Sequence, residues 1–326
     1  MTTKPLEGKI ALVAGATRGA GRGIATMLGE AGATVYCTGR SVRGKPATGT
    51  RPETIDETAE MVTARGGHGI PVQVDHSVEP QVEALIARIR KDHGKLDLLV
   101  NDIWGGDALT EFKKPFWQLS VETGRTMLDR AIFTHIITAK HAVPLLRERE
   151  KSLIVEITDG DTYAYRGHLY YDLVKTTVIR LAFLYARELR HTGVSAVAVT
   201  PGFLRSEEML ENFGVTEANW KEGAATHPDF VASETPFFVG RAVAALAADP
   251  NVRAKNGRVY ASWTLSDEYG FTDIDGSRPH WGNFFQTKYG DRVKPRKAWR
   301  DLDDGFYDYW NSDWIELSAP DWMDGW

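Results

Sequence analysis

The sequence predicts a doubly wound α/β fold on one parallel sheet, and three observations predict it. Apolar runs of strand length alternate with segments of helical period through the first 265 residues, the pattern left by βαβ crossovers. The runs are apolar throughout, as strands covered on both faces are. The first run, 10–14, ends in the glycine-rich turn Gly15-Ala16-Thr17-Arg18-Gly19-Ala20-Gly21, which opens directly into a helical pattern.

Taken in order, the strand candidates are 10–14, 34–38, 71–74, 96–101, 153–158, 194–200 and 258–262. Between them helical patterns fall near 20–31, 53–65, 79–93, 119–149, 168–191 and 235–248. No internal repeat and no Pro-, Gly- or Ser-rich linker divides residues 1–265, so they are expected to form one domain. Composition changes beyond it. Residues 266–326 hold 14 of the 34 aromatics and six of the ten tryptophans, with 13 acids against seven bases. A disordered acidic tail is poor in aromatics. This segment is therefore expected to be an extension packed on its own domain or on a partner subunit, with some of its aromatics lining a pocket.

The bulk properties exclude several classes. A chain of 326 residues, 42% apolar and 25% charged, is an ordinary globular composition. The run 242–248 falls far short of the roughly 18 apolar residues that span a membrane. No secretory leader is recognisable, and the single Cys37 leaves no internal disulfide. A net charge of −5 gives no reason to expect nucleic-acid binding. The expectation is a cytoplasmic protein that acts on a small molecule.

The glycine turn carries chemistry. Its spacing, G-x-x-x-G-x-G, permits a tight turn and close backbone approach, while the next helix aims free N–H groups at a pyrophosphate. Gly15, Thr17, Gly19 and Gly21 are the candidate dinucleotide contacts. Past the second strand, an acid would bind a ribose 2′-hydroxyl and an arginine would accommodate a 2′-phosphate. Arg40 stands there and Arg18 sits inside the turn. Two guanidinium forks favour NADP(H) over NAD(H).

Tyr171 and Lys175 stand four apart in a helical pattern, on one face. An ammonium beside a phenol lowers the phenol's pKa and prepares it to exchange a proton with a carbonyl or alcohol oxygen.

These motifs, in this order, resemble the classical short-chain dehydrogenases/reductases over residues 6 to 265, and so a Rossmann-type fold. The matching residues are Gly15, Gly19 and Gly21; Asp75; Leu99-Val100-Asn101; Tyr171 and Lys175; and Pro201-Gly202 with Ser206. The resemblance implies that Asp75 borders the adenine and Asn101 flanks the cofactor. It implies that Lys175 holds the nicotinamide ribose and that Pro201, Gly202 and Ser206 line the nicotinamide. It also implies a homodimer or homotetramer. Beyond the core, Leu265 through Gly276 resembles the subgroup around dehydrogenase/reductase SDR family member 1.

Three departures stand out. The family's substrate-orienting serine maps to Thr158 by distance from the tyrosine and to Asp159 by alignment on the strand. A threonine hydroxyl can replace a serine. An ionised carboxylate only accepts, and instead suits a cationic substrate such as an iminium. Ala131 stands where the family carries a proton-relay asparagine. Trp104 follows Asn101 in place of the usual Asn-Ala-Gly run, and is a candidate hydrophobic wall for substrate. Tyr165 is a further substrate candidate. No metal is expected: His135 and His141 lack ligand spacing to a third donor, and Cys37 reads as a buried strand residue. The expected activity is NADPH-dependent reduction of a carbonyl, or the reverse. Reduction of a C=N bond and a non-catalytic cofactor-binding sensor are the alternatives.

Overall fold

Seven parallel strands form one sheet in the order β3-β2-β1-β4-β5-β6-β7 in the computed structural model, which describes residues 4–47, 51–161 and 165–290. They are β1 (Ile10–Ala14), β2 (Thr34–Gly39), β3 (His68–Gln73), β4 (Leu98–Asn101), β5 (Ser152–Ile157), β6 (Val194–Thr200) and β7 (Val259–Ala261). Leu12 of β1 lies between Tyr36 of β2 and Leu99 of β4. The chain therefore winds outward in both directions from β1 and β4. Their carboxyl ends open the crevice where a sheet of this topology binds ligand.

The helices follow in chain order. They are α1 (Gly19–Glu30), α2 (Ile55–Ala64), α3 (Glu79–His93), α4 (Val121–Leu128), α5 (Thr134–Leu146) and α6 (Leu169–Glu188). After β6 come α7 (Glu207–Asn212), α8 (Pro236–Ala248), α9 (Ser262–Tyr269) and α10 (Trp281–Tyr289). Alternate strand residues feed two cores. Ala11, Val13 and Val35 pack under Ile24, Leu28, Val239 and Val243 of α1 and α8. Leu12, Tyr36 and Leu99 pack under Val82, Leu85, Ala139 and Leu145 of α3 and α5. Each buried aliphatic side chain contributes roughly 1.5–3 kcal/mol, which is why these strands read as unbroken apolar runs. Helices α1 and α8 meet backbone to backbone: a Cβ on Gly23 would lie 2.0 Å from Pro236 O.

Three differences from the sequence reading have physical causes. Strand β3 begins at His68, three residues before its apolar run, because pairing to β2 and not burial defines this half-exposed edge strand. The single helix expected over 119–149 is interrupted by a π bulge, Asp129–Phe133, that joins α4 to α5. Helices α7, α9 and α10 were not foreseen. The fully buried Leu265 lies within α9, so that helix carries the chain across the boundary between 265 and 266. Phe271 and Trp281 pack on Phe238, Ala261 and Trp263, so residues 266–290 lie against the core. Five of the six extension tryptophans, beyond residue 290, lie outside the described residues.

Cys37 is fully buried, and burial pushes its thiol up to about 12. Among the described residues, no helix is long and apolar enough to cross a membrane and no cluster of donors could hold a metal ion.

Candidate active site

One cavity of about 2140 Å³ opens at the carboxyl ends of the strands. That exceeds the roughly 300–1,000 Å³ of a single small-ligand pocket, leaving room for a dinucleotide and a second molecule.

The glycine turn forms its floor. Gly15 has φ +94°, and a Cβ there would lie 2.3 Å from Asp102 O. A Cβ on Gly21 would lie 2.3 Å from Gly15 O. These two glycines let the turn close on itself and on the loop after β4. Gly19 differs: with φ +56°, its Cβ position meets nothing closer than Ser206 Cβ at 3.8 Å, so its open side faces the cavity. Arg18 at the start of α1 makes no side-chain cap, and the Gly19 N–H donates to Glu207 Oε2 at 2.8 Å. An anion sits well at such a helix N-terminus.

The basic residues cluster at one end. Arg40 follows β2 on the cavity wall, with Nη1 3.9 Å from Asp75 Oδ2. Arg18 Nε donates to Glu53 Oε2 at 3.2 Å, while Arg18 Nη2 is buried with no hydrogen-bond partner. A buried donor left unpaired calls for an acceptor. Phosphate oxygens suit this donor and Arg40, so the residues present fit the phosphates of a dinucleotide. Arg51, on the same wall, pairs with Glu211 at 3.1 Å and was missed. It lies on a polar loop without periodicity, and only the fold returns that loop to the cleft.

At the other end stand Tyr171 and Lys175. Helix α6 is capped by His168, whose Nδ1 accepts from the Tyr171 N–H at 3.2 Å. The Tyr171 hydroxyl donates to Asp159 Oδ2 at 2.7 Å. Burial, then the Asp159 charge and this hydrogen bond, hold the phenol well above its ordinary pKa of 10. The expected lowering by Lys175 is not found, because burial raises the phenol and the carboxylate, not the ammonium, touches the hydroxyl. Lys175 Nζ lies 4.6 Å from the centre of the Trp104 ring and 5.5 Å from that of Tyr171. Burial lowers its pKa, opposed by Asp159, Asp102 and Asp107. Trp104 meets Tyr171 edge to face at 5.3 Å, and its Nε1–H donates to Asp107 Oδ1 at 2.5 Å.

The two residues competing for the serine position separate clearly. Thr158 is buried, and its hydroxyl donates to Lys175 O at 2.7 Å. Its only proton is thereby committed, leaving none to donate to a carbonyl oxygen. Asp159, one residue further along, faces Tyr171.

Asn101 departs from expectation too. It is fully buried, is not among the residues lining the cavity, and donates from Nδ2 to Glu156 Oε1 at 2.7 Å. Glu156 Oε2 meets His135 Nδ1 at 2.5 Å, and His135 Nε2 reaches Ile103 O at 3.0 Å. A carbonyl only accepts, so Nε2 carries a proton, and the chain Asn101–Glu156–His135 tethers the loop that presents Asp102 and Trp104. Glutamate inside a strand was the overlooked signal. Asp102 lines the cavity, and burial raises its carboxyl to about 7.

The remaining expected residues, Thr17, Asp75, Pro201, Gly202, Ser206 and Tyr165, all line the cavity. Gly21 packs beneath it. Ala131 is buried inside the π bulge. From the extension, Trp281 and Phe285 of α10 reach the wall. Trp281 stands edge to face with Phe203 at 5.8 Å, and Asp229 holds the far end of α10 through Lys288 and the Tyr289 hydroxyl, the latter at 2.7 Å.

The comparisons agree with this geometry. The short chain dehydrogenase family model matches residues 9–217. Dehydrogenase/reductase SDR family member 1 of Mus musculus is 34% identical over 277 residues, 83% of this chain and 85% of that protein. A 3-oxoacyl-[acyl-carrier-protein] reductase of Vibrio harveyi is 32% identical over 205 residues, 62% of this chain and 76% of that protein. The crystal structure of a short chain dehydrogenase from Mycobacterium thermoresistibile superposes with a TM-score of 0.70 at 19% identity, covering 85% of this chain and 92% of that one, a likeness of fold. The chain belongs to the short-chain dehydrogenase family, oxidoreductases that bind a nicotinamide dinucleotide and act on small molecules.

Proposed function

We propose that this protein is an NADP(H)-dependent oxidoreductase that reduces a ketone or aldehyde to an alcohol, or runs the reverse. The observation that carries this reading is the single cavity shared by Arg18 and Arg40 at one end and by Tyr171 and Lys175 at the other. The reductase named among the relatives supports the direction. When bound, the dinucleotide supplies the hydride. The chain does the rest. Arg18 and Arg40 take the 2′-phosphate. The Gly19 turn takes the pyrophosphate. Lys175 holds the nicotinamide ribose. Pro201, Gly202 and Ser206 line the ring, and Asp75 borders the adenine.

Tyr171 holds the transferred proton on its hydroxyl. Its raised pKa keeps that proton in place across the neutral range but makes the phenol a weaker acid, so transfer requires the hydroxyl to turn from Asp159 to the substrate oxygen. Trp104 and Tyr165 wall the substrate. Titration of NADPH against NADH, followed by a carbonyl screen with the preferred cofactor, tests this reading. Binding of neither cofactor sinks it.

The Tyr171–Asp159 hydrogen bond favours a second reading, reduction of a protonated C=N bond. A carboxylate beside the reacting nitrogen stabilises an iminium, whereas it opposes negative charge developing on a carbonyl oxygen. Asp159→Asn separates the two. It should lower turnover of a cyclic imine by about tenfold or more while sparing or raising that of the matched ketone. It also removes the two Asp159 effects that raise the phenol, so the Tyr171 pKa falls towards 10. Reduction requires protonated Tyr171, so the alkaline loss of rate should move to lower pH in Asp159→Asn. Imine turnover indifferent to the substitution would exclude the carboxylate from that role.

The protein is proposed to be a cytoplasmic homodimer or homotetramer. An apolar surface supports the association: Phe112, Phe116, Trp117, Val121 and Phe133 are more than half exposed on and before α4 and at the π bulge. Exposed apolar clusters mark interfaces. Light scattering after size exclusion should read a dimer or tetramer mass, and a monomer would refute the assignment.

A further inference from the structure

Glu234 is an unexplained buried carboxyl behind the site. Its side chain is 1% exposed and lies on the segment just before α8. Three contacts reach the stretch after β6. The Glu234 N–H donates to Phe203 O at 2.8 Å, and Glu234 O accepts from the Arg205 N–H at 2.8 Å. Its Oε2 accepts from the Gly202 N–H at 2.9 Å. The same oxygen accepts from the Ser262 hydroxyl at 2.6 Å, which adds the start of α9. Next in sequence, Thr235 gives both its N–H and its hydroxyl to the buried Asp273, at 2.9 and 2.5 Å.

One residue thus secures the segment that carries Gly202 and Ser206, and its neighbour ties that point to the C-terminal part of the chain. The fit is tight. A Cβ on Gly202 would lie 2.9 Å from Glu234 Oε2 and 3.0 Å from Trp281 Cβ. Glu234 Oε1 is buried with no hydrogen-bond partner. A buried polar atom left unsatisfied costs stability, and an apolar side chain would have filled this space without that cost. What an apolar residue lacks is an acceptor for Gly202 and Ser262.

We infer that Glu234 is a positioning residue, whose carboxyl holds the 201–206 segment in the form that receives the nicotinamide end of the cofactor. This rests on the dinucleotide reading above. Burial raises the carboxyl to about 8, so near neutral pH it is largely uncharged and acts as an acceptor, not as a counter-ion. Glutamine keeps an acceptor oxygen at the same reach; alanine does not.

The test is hydrogen exchange on the cofactor-free protein, with NADPH titration alongside, for wild type, Glu234→Gln and Glu234→Ala. Glu234→Ala should speed exchange of the Gly202 amide by about tenfold or more and weaken NADPH by a similar factor. Glu234→Gln should stay within about threefold of wild type in both. Should Glu234→Ala fail to fold, Ser262→Ala, which removes one of the two donors to the carboxyl, should raise Gly202 exchange by about threefold. Unchanged Gly202 protection in Glu234→Ala, or in Ser262→Ala where that variant carries the test, would overturn the inference. So would a glutamine variant that behaves like alanine. Wild-type protein that protects Gly202 yet binds no NADPH would instead overturn the cofactor reading and leave the clamp intact.

Discussion

Tyr171→Phe should lower kcat for reduction by about 10²- to 10⁴-fold, the range over which a positioned proton donor acts. NADPH affinity should stay within about threefold, because the ring remains. Phenylalanine keeps the edge-to-face contact with Trp104 and the packing beside Lys175, and removes only the hydroxyl that donates to Asp159. The measurement is single-turnover oxidation of bound NADPH with an active ketone. A loss confined to KM would mean that Tyr171 binds substrate without transferring the proton. Tight NADPH binding with no turnover in the wild type, for any of a broad carbonyl and imine panel, would favour a non-catalytic cofactor sensor.

The second large effect is expected at the 2′-phosphate. Arg18→Ala combined with Arg40→Ala should weaken NADPH by about 10²-fold and leave NADH within about threefold. A hydrogen bond to a charged group contributes roughly 1.5–3 kcal/mol, about 10- to 100-fold each. Arg40 is only partly buried, and its share is reduced by solvent. Arg18 has the buried donor without a partner, so its single substitution should be the more damaging of the two. Fluorescence titration with both cofactors reads the outcome directly. Equal affinity for NADH and NADPH, unchanged in the double variant, would show that neither arginine meets a phosphate. Arg51 would then be the next guanidinium on that wall to test.

The sequence by itself determined the sheet, most of the helices between its strands and the ends of the cleft, because those signals are local. Seven strands announce themselves through apolar runs, and β3 was placed late only because an edge strand need not be apolar. The glycine turn is legible because a turn between a first strand and a helix admits few residues. Tyr171 and Lys175 are legible because four residues along a helix always share a face. Asn101 was located correctly in the chain but faces Glu156 inside the protein, since one residue along a strand reverses the side a residue presents.

Tertiary structure decided what depends on approach between distant segments. It placed Asp159, and not Thr158, at the tyrosine hydroxyl, because the Thr158 proton is committed to the backbone of α6. Burial of the phenol, with the Asp159 contact after it, reversed the expected direction of the Tyr171 pKa. It also brought α10 to the cavity wall, and Glu234 beneath Gly202. No local pattern encodes such meetings: the hydrogen-bonded partners lie 12, 17 and 32 residues apart on different elements, and only the fold brings them together.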